Sequence, residues 1–337
     1  MSDKEFDVVI FGASGYTGKL VAEYMNHEYG DDKSINYAIA GRNTEKLVEV
    51  KRELKDLLEL LDLEQIEKNI FRGLSPTEGW QRVYGGQVIG QALVAASRTV
   101  EEETRIAHSL HGYFLRPGDT EIPILYSVDR IRDGKSFSTR RVVAVQRGEA
   151  IFSMAASFQS IEEGLSHQME MPSDVPPPSE CQSEIELRKK YIDKIPEEYK
   201  TAFNRPRPIE MRYAQPINDF DPQPMEPAQN VWIKATDKMP EDIKLNQCLL
   251  AYASDMTLLD TCYRPHGLGW INEKFQVASL DHSMWFHAPF KTDEWMLYHQ
   301  DSPFSGGSRG FNRGTFFTEE GKLIASATQE GLIRLHK

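Results

Sequence analysis

Residues 84–100 read YGGQVIGQALVAASRTV, and four runs of alternating apolar and polar residues follow: HSLHGYFL (108–115), EIPILYSVD (121–129), SFSTRRVVAV (136–145) and AIFSMAASFQ (150–159). Gly86, Gly90, Ala92, Ala95 and Ala96 permit close backbone approach along the first segment, as in a helix wrapped by a sheet. The period of two in the others is that of strands. Further along, QCLLAYAS from Gln247 resembles QALVAASR from Gln91, and DHSMWFHAPF, WMLYHQD, GFNRGTFF and LIASATQEG echo the four strands. The register is regular: Tyr113-Phe114 with Pro117 lies 172 positions before Trp285-Phe286 with Pro289, and Leu125-Tyr126 with Asp129 lies 172 before Leu297-Tyr298 with Asp301. Gly148 and Gly321 fall between the last two strands of each set, where a hairpin turn favours positive φ. A helix laid on an antiparallel sheet and duplicated in one chain gives an α+β pseudo-dimer.

Upstream, LKDLLELLDLEQIEKNIF (54–71) spaces its leucines like the apolar stripe of a surface helix. Before it, FDVVIF (6–11), GASGYTG (12–18) and INYAIAG (35–41) form one strand–glycine turn–helix–strand start of a Rossmann-like unit. The expected organisation is a partial Rossmann-like fragment over 1–51, a first helix-on-sheet unit over 52–160, a polar, Pro-containing linker over 161–207 and a second unit over 208–337.

Composition narrows the possible partners. The 337 residues carry 39 Lys+Arg against 51 Asp+Glu, a net charge of -12, which argues against nucleic acid because such binding rests on phosphate neutralisation. A small anion held by a few arginines remains compatible. Cys181, Cys248 and Cys262 have neither zinc-site nor disulfide-framework spacing, so a reducing compartment and no metal are expected. The longest apolar run near the N-terminus, Val8 to Phe11, is too short for a signal segment or a membrane span, and the last residues LHK are no peroxisomal address. A cytoplasmic protein without membrane insertion is the simplest expectation.

Three polar residues stand in apolar surroundings. Asp255 is the one charged side chain in LNQCLLAYASDMTLL (245–259), Ser279 sits in FQVASLDHSMWF, and Gln329 in LIASATQEGLI. A lone buried carboxylate is destabilising unless it is bonded or used. The plainer alternative is that Ser254-Asp255 caps a helix end or faces solvent, with Ser279 and Gln329 satisfying backbone groups. By the repeat register the first copy has Thr99, Ala107 and Ser157 at the three places, so the set occurs once. The G-x-S-x-G pattern GGSRG (306–310) precedes a strand rather than forming a strand-to-helix elbow, which argues against Ser308 as a nucleophile. His108 and His111, three apart on a strand, are expected on opposite faces and in structural roles. Arg309 and Arg313 alternate to one face and are candidates for binding phosphates, or else form a solvated surface.

From about Leu54 to its end the chain resembles the acyl-CoA thioesterase II family, through FRG (71–73), YGGQVIGQAL, HSLHGYFLRPGD, RDGKSFSTRRV, YASD, DHSMWFH, RGFNRG and TQEG. The resemblance implies a double hotdog fold, a homodimer or homotetramer, and hydrolysis of fatty acyl-CoA to free acid and CoA. It also implies an Asp, Thr/Ser and Gln set that activates water, which carries over onto Asp255, Ser279 and Gln329. GASGYTG with AGRN (40–43) resembles the start of saccharopine-dehydrogenase-like NADP-binding domains, where Gly12, Gly15 and Gly18 would admit the pyrophosphate and Arg42 a 2′-phosphate. The parallel strands that would complete such a domain are missing, so no cofactor is expected. Two rivals stay open: an NADP-dependent oxidoreductase read from the N-terminal fragment, and an acyl-CoA-binding scaffold without turnover.

Overall fold

The computed structural model describes residues 8–11, 37–40, 57–76, 82–101, 104–195, 200, 207–269, 271–272 and 274–336. The chain divides into two compact units, Met1–Glu59 and Leu60–Lys337. In the first, β1 (Val8–Phe11) and β2 (Tyr37–Ala40) pair in parallel. Gly12, Gly15, Gly18 and Arg42 lie outside the described residues.

The stretch expected as one long helix over 54–71 is not one. Helix α1 covers only Leu57–Leu61, and a hairpin of β3 (Glu64–Glu67) and β4 (Ile70–Gly73) follows. Leucine spacing sustains a turn up to Leu61, but beyond it β4 pairs with a neighbouring strand and alternates exposed and buried, with Phe71 fully buried. Sheet pairing and burial outweigh the helix preference of Glu and Leu there.

The rest follows the repeat. Helix α2 (Gly85–Ser97) is followed by β5 (Arg105–Phe114), β6 (Ile124–Asp133), β7 (Phe137–Gln146) and β8 (Glu149–Ser160). Within the span expected as a linker lie β9 (Gln182–Ser183) and α3 (Glu184–Tyr191), and β10 (Ile209–Tyr213) and β11 (Ala228–Ala235) follow it. Helix α4 (Ile243–Ala253) then precedes β12 (Phe275–Ser279), β13 (Asp281–Phe286), β14 (Met296–Gly306), β15 (Arg309–Thr318) and β16 (Leu323–Leu335). Among the described residues a 14-stranded sheet runs β3-β4-β6-β7-β8-β5-β13-β16-β15-β14-β11-β10-β9, with β12 also on β16. Its pairs are antiparallel, and β5 against β13 joins the two copies.

His111 and Ser283 face each other across that seam and are also 172 residues apart, each the other's counterpart. The pseudo-two-fold axis relating the copies therefore passes between them. Both helices lie on the inner face: Gly86 through Ala96 of α2 and Asn246 through Ala253 of α4 are buried, as small and apolar residues on every side of a helix require. Phe71, Phe152, Phe158, Phe316 and Phe317 are fully buried, the last in a separate cluster with Cys181, Trp232 and Leu297. Each of these phenylalanines contributes roughly 1.5–3 kcal/mol of transfer free energy. Gly148 and Gly321 take φ of 78 and 85 in their turns, as expected. No described helix is long and apolar enough to cross a membrane.

Candidate active site

Asp255 follows Ser254, the C-cap of α4, so helical hydrogen bonding has ended where its side chain leaves the backbone. Ser279 ends β12 opposite Gly331 of β16, and the cluster Leu259, Cys262, Tyr263 and Phe275 packs the loop after α4 onto this strand pair. Gln329 is an inward, fully buried residue of β16. These three side chains meet. Gln329 Nε2 donates to Asp255 Oδ1 at 2.5 Å and to Ser279 Oγ at 3.1 Å, and Ser279 Oγ donates to the same Oδ1 at 3.3 Å. Burial pushes the Asp255 carboxyl up to about 6, opposed by hydrogen bonds from Gln329, Ser279 and the backbone N–H of Gly86. A carboxyl so placed is largely ionised at neutral pH yet basic enough to take a proton.

The Gly86 contact brings in the other copy, which residue patterns alone did not reveal. The N-terminus of α2 meets the C-terminal end of α4: a Cβ on Gly86 would lie 2.2 Å from Tyr252 O, and one on Gly85 2.7 Å from Asp255 Oδ2. Glycine is required for that approach. Unpaired first-turn N–H groups and the positive end of the helix dipole thus face the carboxylate. Tyr84 adds a hydroxyl donating to Tyr252 O at 3.0 Å, and Phe114, tilted on Phe152, closes over Gly85. The paired glycines of YGG were the available signal, although they read only as helix packing.

Model matches and relatives agree with this architecture. Residues 76–159 match the acyl-CoA thioesterase N-terminal domain and residues 199–332 the acyl-CoA thioesterase family. The chain is 44% identical over 290 residues to mouse acyl-coenzyme A thioesterase 8, covering 82% of this chain and 88% of that protein. With acyl-CoA thioesterase 2 of Haemophilus influenzae it shares 42% over 281 residues, 83% of this chain and 98% of that protein. The chain belongs to the acyl-CoA thioesterase II family. The crystal structure of an acyl-CoA thioesterase II from Mycobacterium marinum, 44% identical, superposes with a TM-score of 0.67 over 82% of this chain and 97% of that one. A conserved protein with a hot dog fold from Alicyclobacillus acidocaldarius, 17% identical, superposes at 0.66 over 83% and 98%, which places the thioesterase portion in that fold. A short similarity of another kind also occurs: 43% over 51 residues, 15% of this chain, to a putative trans-acting enoyl reductase of Mycobacterium tuberculosis, of which it covers 12%.

The first copy of this thioesterase II chain holds a different set. Thr99 and Ala107 stand where Asp255 and Ser279 do, but the counterpart of Gln329 is Ala156, not Ser157. The turn joining β15 to β16 is one residue longer than that joining β7 to β8, so β16 runs one position ahead. Ser157 instead bonds His108 at 2.8 Å. Arg140, counterpart of Asn312, fills the first copy's place: its buried guanidinium donates to Thr99 Oγ1 at 2.8 Å, to Thr99 O at 3.1 Å and to Asp133 at 2.7 Å.

His108 and His111 do not lie on opposite faces. A bulge between Ala107 and Ser109 inserts a residue, so His108 sits over Ser157 and His111 opposite Ala155, two apart along one face of β8. Among the described residues no group of three or more His, Cys, Asp or Glu is placed to hold a metal. Ser308 occupies a hairpin turn between two strands with φ of 61, not a strand-to-helix elbow. Arg309 and Arg313 share one face, as alternation required, and it is the face opposite Asn312. Arg309 pairs with Glu330 at 2.9 Å, and Arg313 pairs bidentately with Asp301, donating from Nε to Oδ1 and from Nη2 to Oδ2.

Proposed function

We propose that this chain hydrolyses medium- to long-chain fatty acyl-CoA to fatty acid and CoA by direct attack of water, with Asp255 as general base. The convergence of Asp255, Ser279 and Gln329, residues separated by up to 74 positions, carries the reading. Ser279 and Gln329 engage Oδ1, leaving Oδ2 on the Gly85 side to accept the water proton. The water oxygen bonds to the thioester carbon, and backbone N–H groups at the start of α2 stabilise the resulting oxyanion. Collapse breaks the C–S bond, and the proton held by Asp255 passes to the departing thiolate. Phe114, Phe152 and Tyr84 supply an apolar wall suited to an acyl chain. Arg309 and Arg313 are proposed to meet the CoA phosphates, exchanging their carboxylate partners.

Thiol release across acyl-CoA chain lengths tests the activity, and rapid quenching tests the direct attack. A stoichiometric acyl group on Ser308 or a cysteine would overturn it. Tight CoA binding without turnover would favour the silent scaffold. The proposal keeps the division into 1–51, 52–160, 161–207 and 208–337, a cytoplasmic location and a homodimer or homotetramer, which light scattering measures.

Residues 1–51 bind no cofactor in this reading, although the parallel pairing of β1 and β2 fits a Rossmann-like start. A single β-α-β lacks the second half that holds a nicotinamide. Calorimetry should show no saturable NADPH binding; binding abolished by Gly15→Val would revive the oxidoreductase alternative.

A further inference from the structure

Ser254, the residue before Asp255, is fully buried and held from two sides. Its carbonyl oxygen accepts the Tyr298 hydroxyl at 2.8 Å. Its Oγ lies 2.9 Å from Ala251 O and 2.8 Å from His282 Nε2. A hydroxyl has one proton, and a carbonyl can only accept, so the Ser254 proton goes to Ala251 and His282 must present Nε2–H. That tautomer leaves Nδ1 bare, and Nδ1 has no hydrogen-bond partner in this fully buried side chain. Burial keeps the ring neutral by pushing its pKa down to about 3.

The first copy closes the corresponding helix end without any of this. Leu110, also fully buried, stands in place of His282, and Arg98 is the C-cap in place of Ser254. Tyr126, counterpart of Tyr298, donates to Gln91 Oε1 at 2.7 Å instead of to the helix end. An unsatisfied buried acceptor is destabilising, and Leu110 shows that the fold accepts an apolar side chain there. A polar, partly unsatisfied group retained only in the copy that holds Asp255 points to the chemistry rather than to the core.

We propose that His282 and Tyr298 are positioning residues for Asp255, clamping Ser254 so that the next side chain stays within reach of Gln329, Ser279 and the start of α2. The proposal rests on the reading of Asp255 as general base. Neither residue touches the reacting atoms. The clamp is needed because Asp255 lies beyond the last helical turn, where helical bonding no longer sets its direction, and small misplacements of a base are expensive in rate.

The test uses the full chain with dodecanoyl-CoA and thiol release, comparing His282→Leu, His282→Gln, Tyr298→Phe, Asp255→Asn and the His282→Leu/Asp255→Asn double variant. His282→Leu should lower kcat ~10-fold and Tyr298→Phe ~5-fold with KM within ~2-fold, the scale of one positioning hydrogen bond. His282→Gln, which keeps an N–H donor near the same place, should recover most of the rate. His282→Leu should cause no further loss in the Asp255→Asn background, because it acts through that carboxylate. Wild-type kcat in both His282→Leu and Tyr298→Phe alongside an inactive Asp255→Asn would overturn the proposal and leave the base assignment intact. An equal further loss in the Asp255→Asn background would also overturn it, as a general structural effect. Wild-type turnover by Asp255→Asn would instead remove the base assignment. Should His282→Leu fail to fold, Tyr298→Phe decides, since its ring keeps its stack on Phe316 at 3.8 Å.

Discussion

Arg140 Nε donates to Thr99 Oγ1 at 2.8 Å, and these two residues are the first copy's counterparts of Asn312 and Asp255. The place that holds a carboxylate in one copy is thus filled by a guanidinium in the other. Arg140→Met should destabilise the protein by about 2–3 kcal/mol, through loss of a buried hydrogen-bond network. It should leave the turnover of folded protein within ~3-fold. Urea unfolding and thiol release measure the two effects, and loss of turnover in a stably folded variant would show that the first copy also takes part in catalysis.

Asp255→Asn should lower kcat by at least ~100-fold, the scale of general-base loss. Because the base must be ionised, kcat/KM of the wild type should fall as pH drops through about 6. The residual activity of Asp255→Asn should lack that limb. A limb near pH 4 instead would mean that the carboxyl is not desolvated in the free enzyme.

Among the described carboxyls, burial raises Asp281 and, further, Asp255 to about 6 and Asp260 to about 7. A folded pKa raised above the unfolded value means that the stability contribution is fully present below the unfolded pKa of about 4 and is lost as pH rises through the folded pKa. Asp260→Asn, which keeps an acceptor for the Tyr263 hydroxyl 2.6 Å away, should remove part of that loss. It should gain on the order of 2 kcal/mol relative to wild type at pH 8 but little at pH 4. Melting curves at the two pH values decide this, and an equal change at both would show that Asp260 does not titrate in the window.

Gly85→Ala and Gly86→Ala should separate rate from stability. The new Cβ at 85 meets the Asp255 carboxylate and the Phe114 ring, side chains that can shift, so kcat should fall ~10-fold or more with a modest change in melting temperature. At 86 it meets the Tyr252 backbone, which cannot retreat without separating α2 from α4, so unfolding should dominate. Wild-type kinetics in folded Gly85→Ala would argue against chemistry on that side of Asp255.

The period of two in the eight principal strands, the apolar helices, the repeat offset and the three polar residues in apolar runs were all legible in the chain. They are local patterns, and a local pattern carries its own burial. What lay beyond reach depended on pairing between distant segments. The reach of α1 was misjudged because β4 takes its conformation from β6. The bulge that turns His108 and His111 to one side is set by how β5 meets β8. The extra turn residue that shifts Gln329 from Ser157 to Ala156 changes a register that spacing alone treats as constant.

The amino-acid sequence by itself determined that two helix-on-sheet copies form and that only the second carries a carboxylate, a hydroxyl and an amide, because side-chain polarity and periodicity are properties of each segment. Only the tertiary structure decided that Gly86 of the first copy donates to Asp255 of the second. It alone decided that Arg140 fills the place facing Thr99, and that His282 and Tyr298 close on Ser254. The first of those relationships crosses between the copies, which the antiparallel seam of β5 with β13 joins, and the others bring residues far apart in the chain to within hydrogen-bonding distance inside one copy. No pattern confined to one segment encodes such a distance.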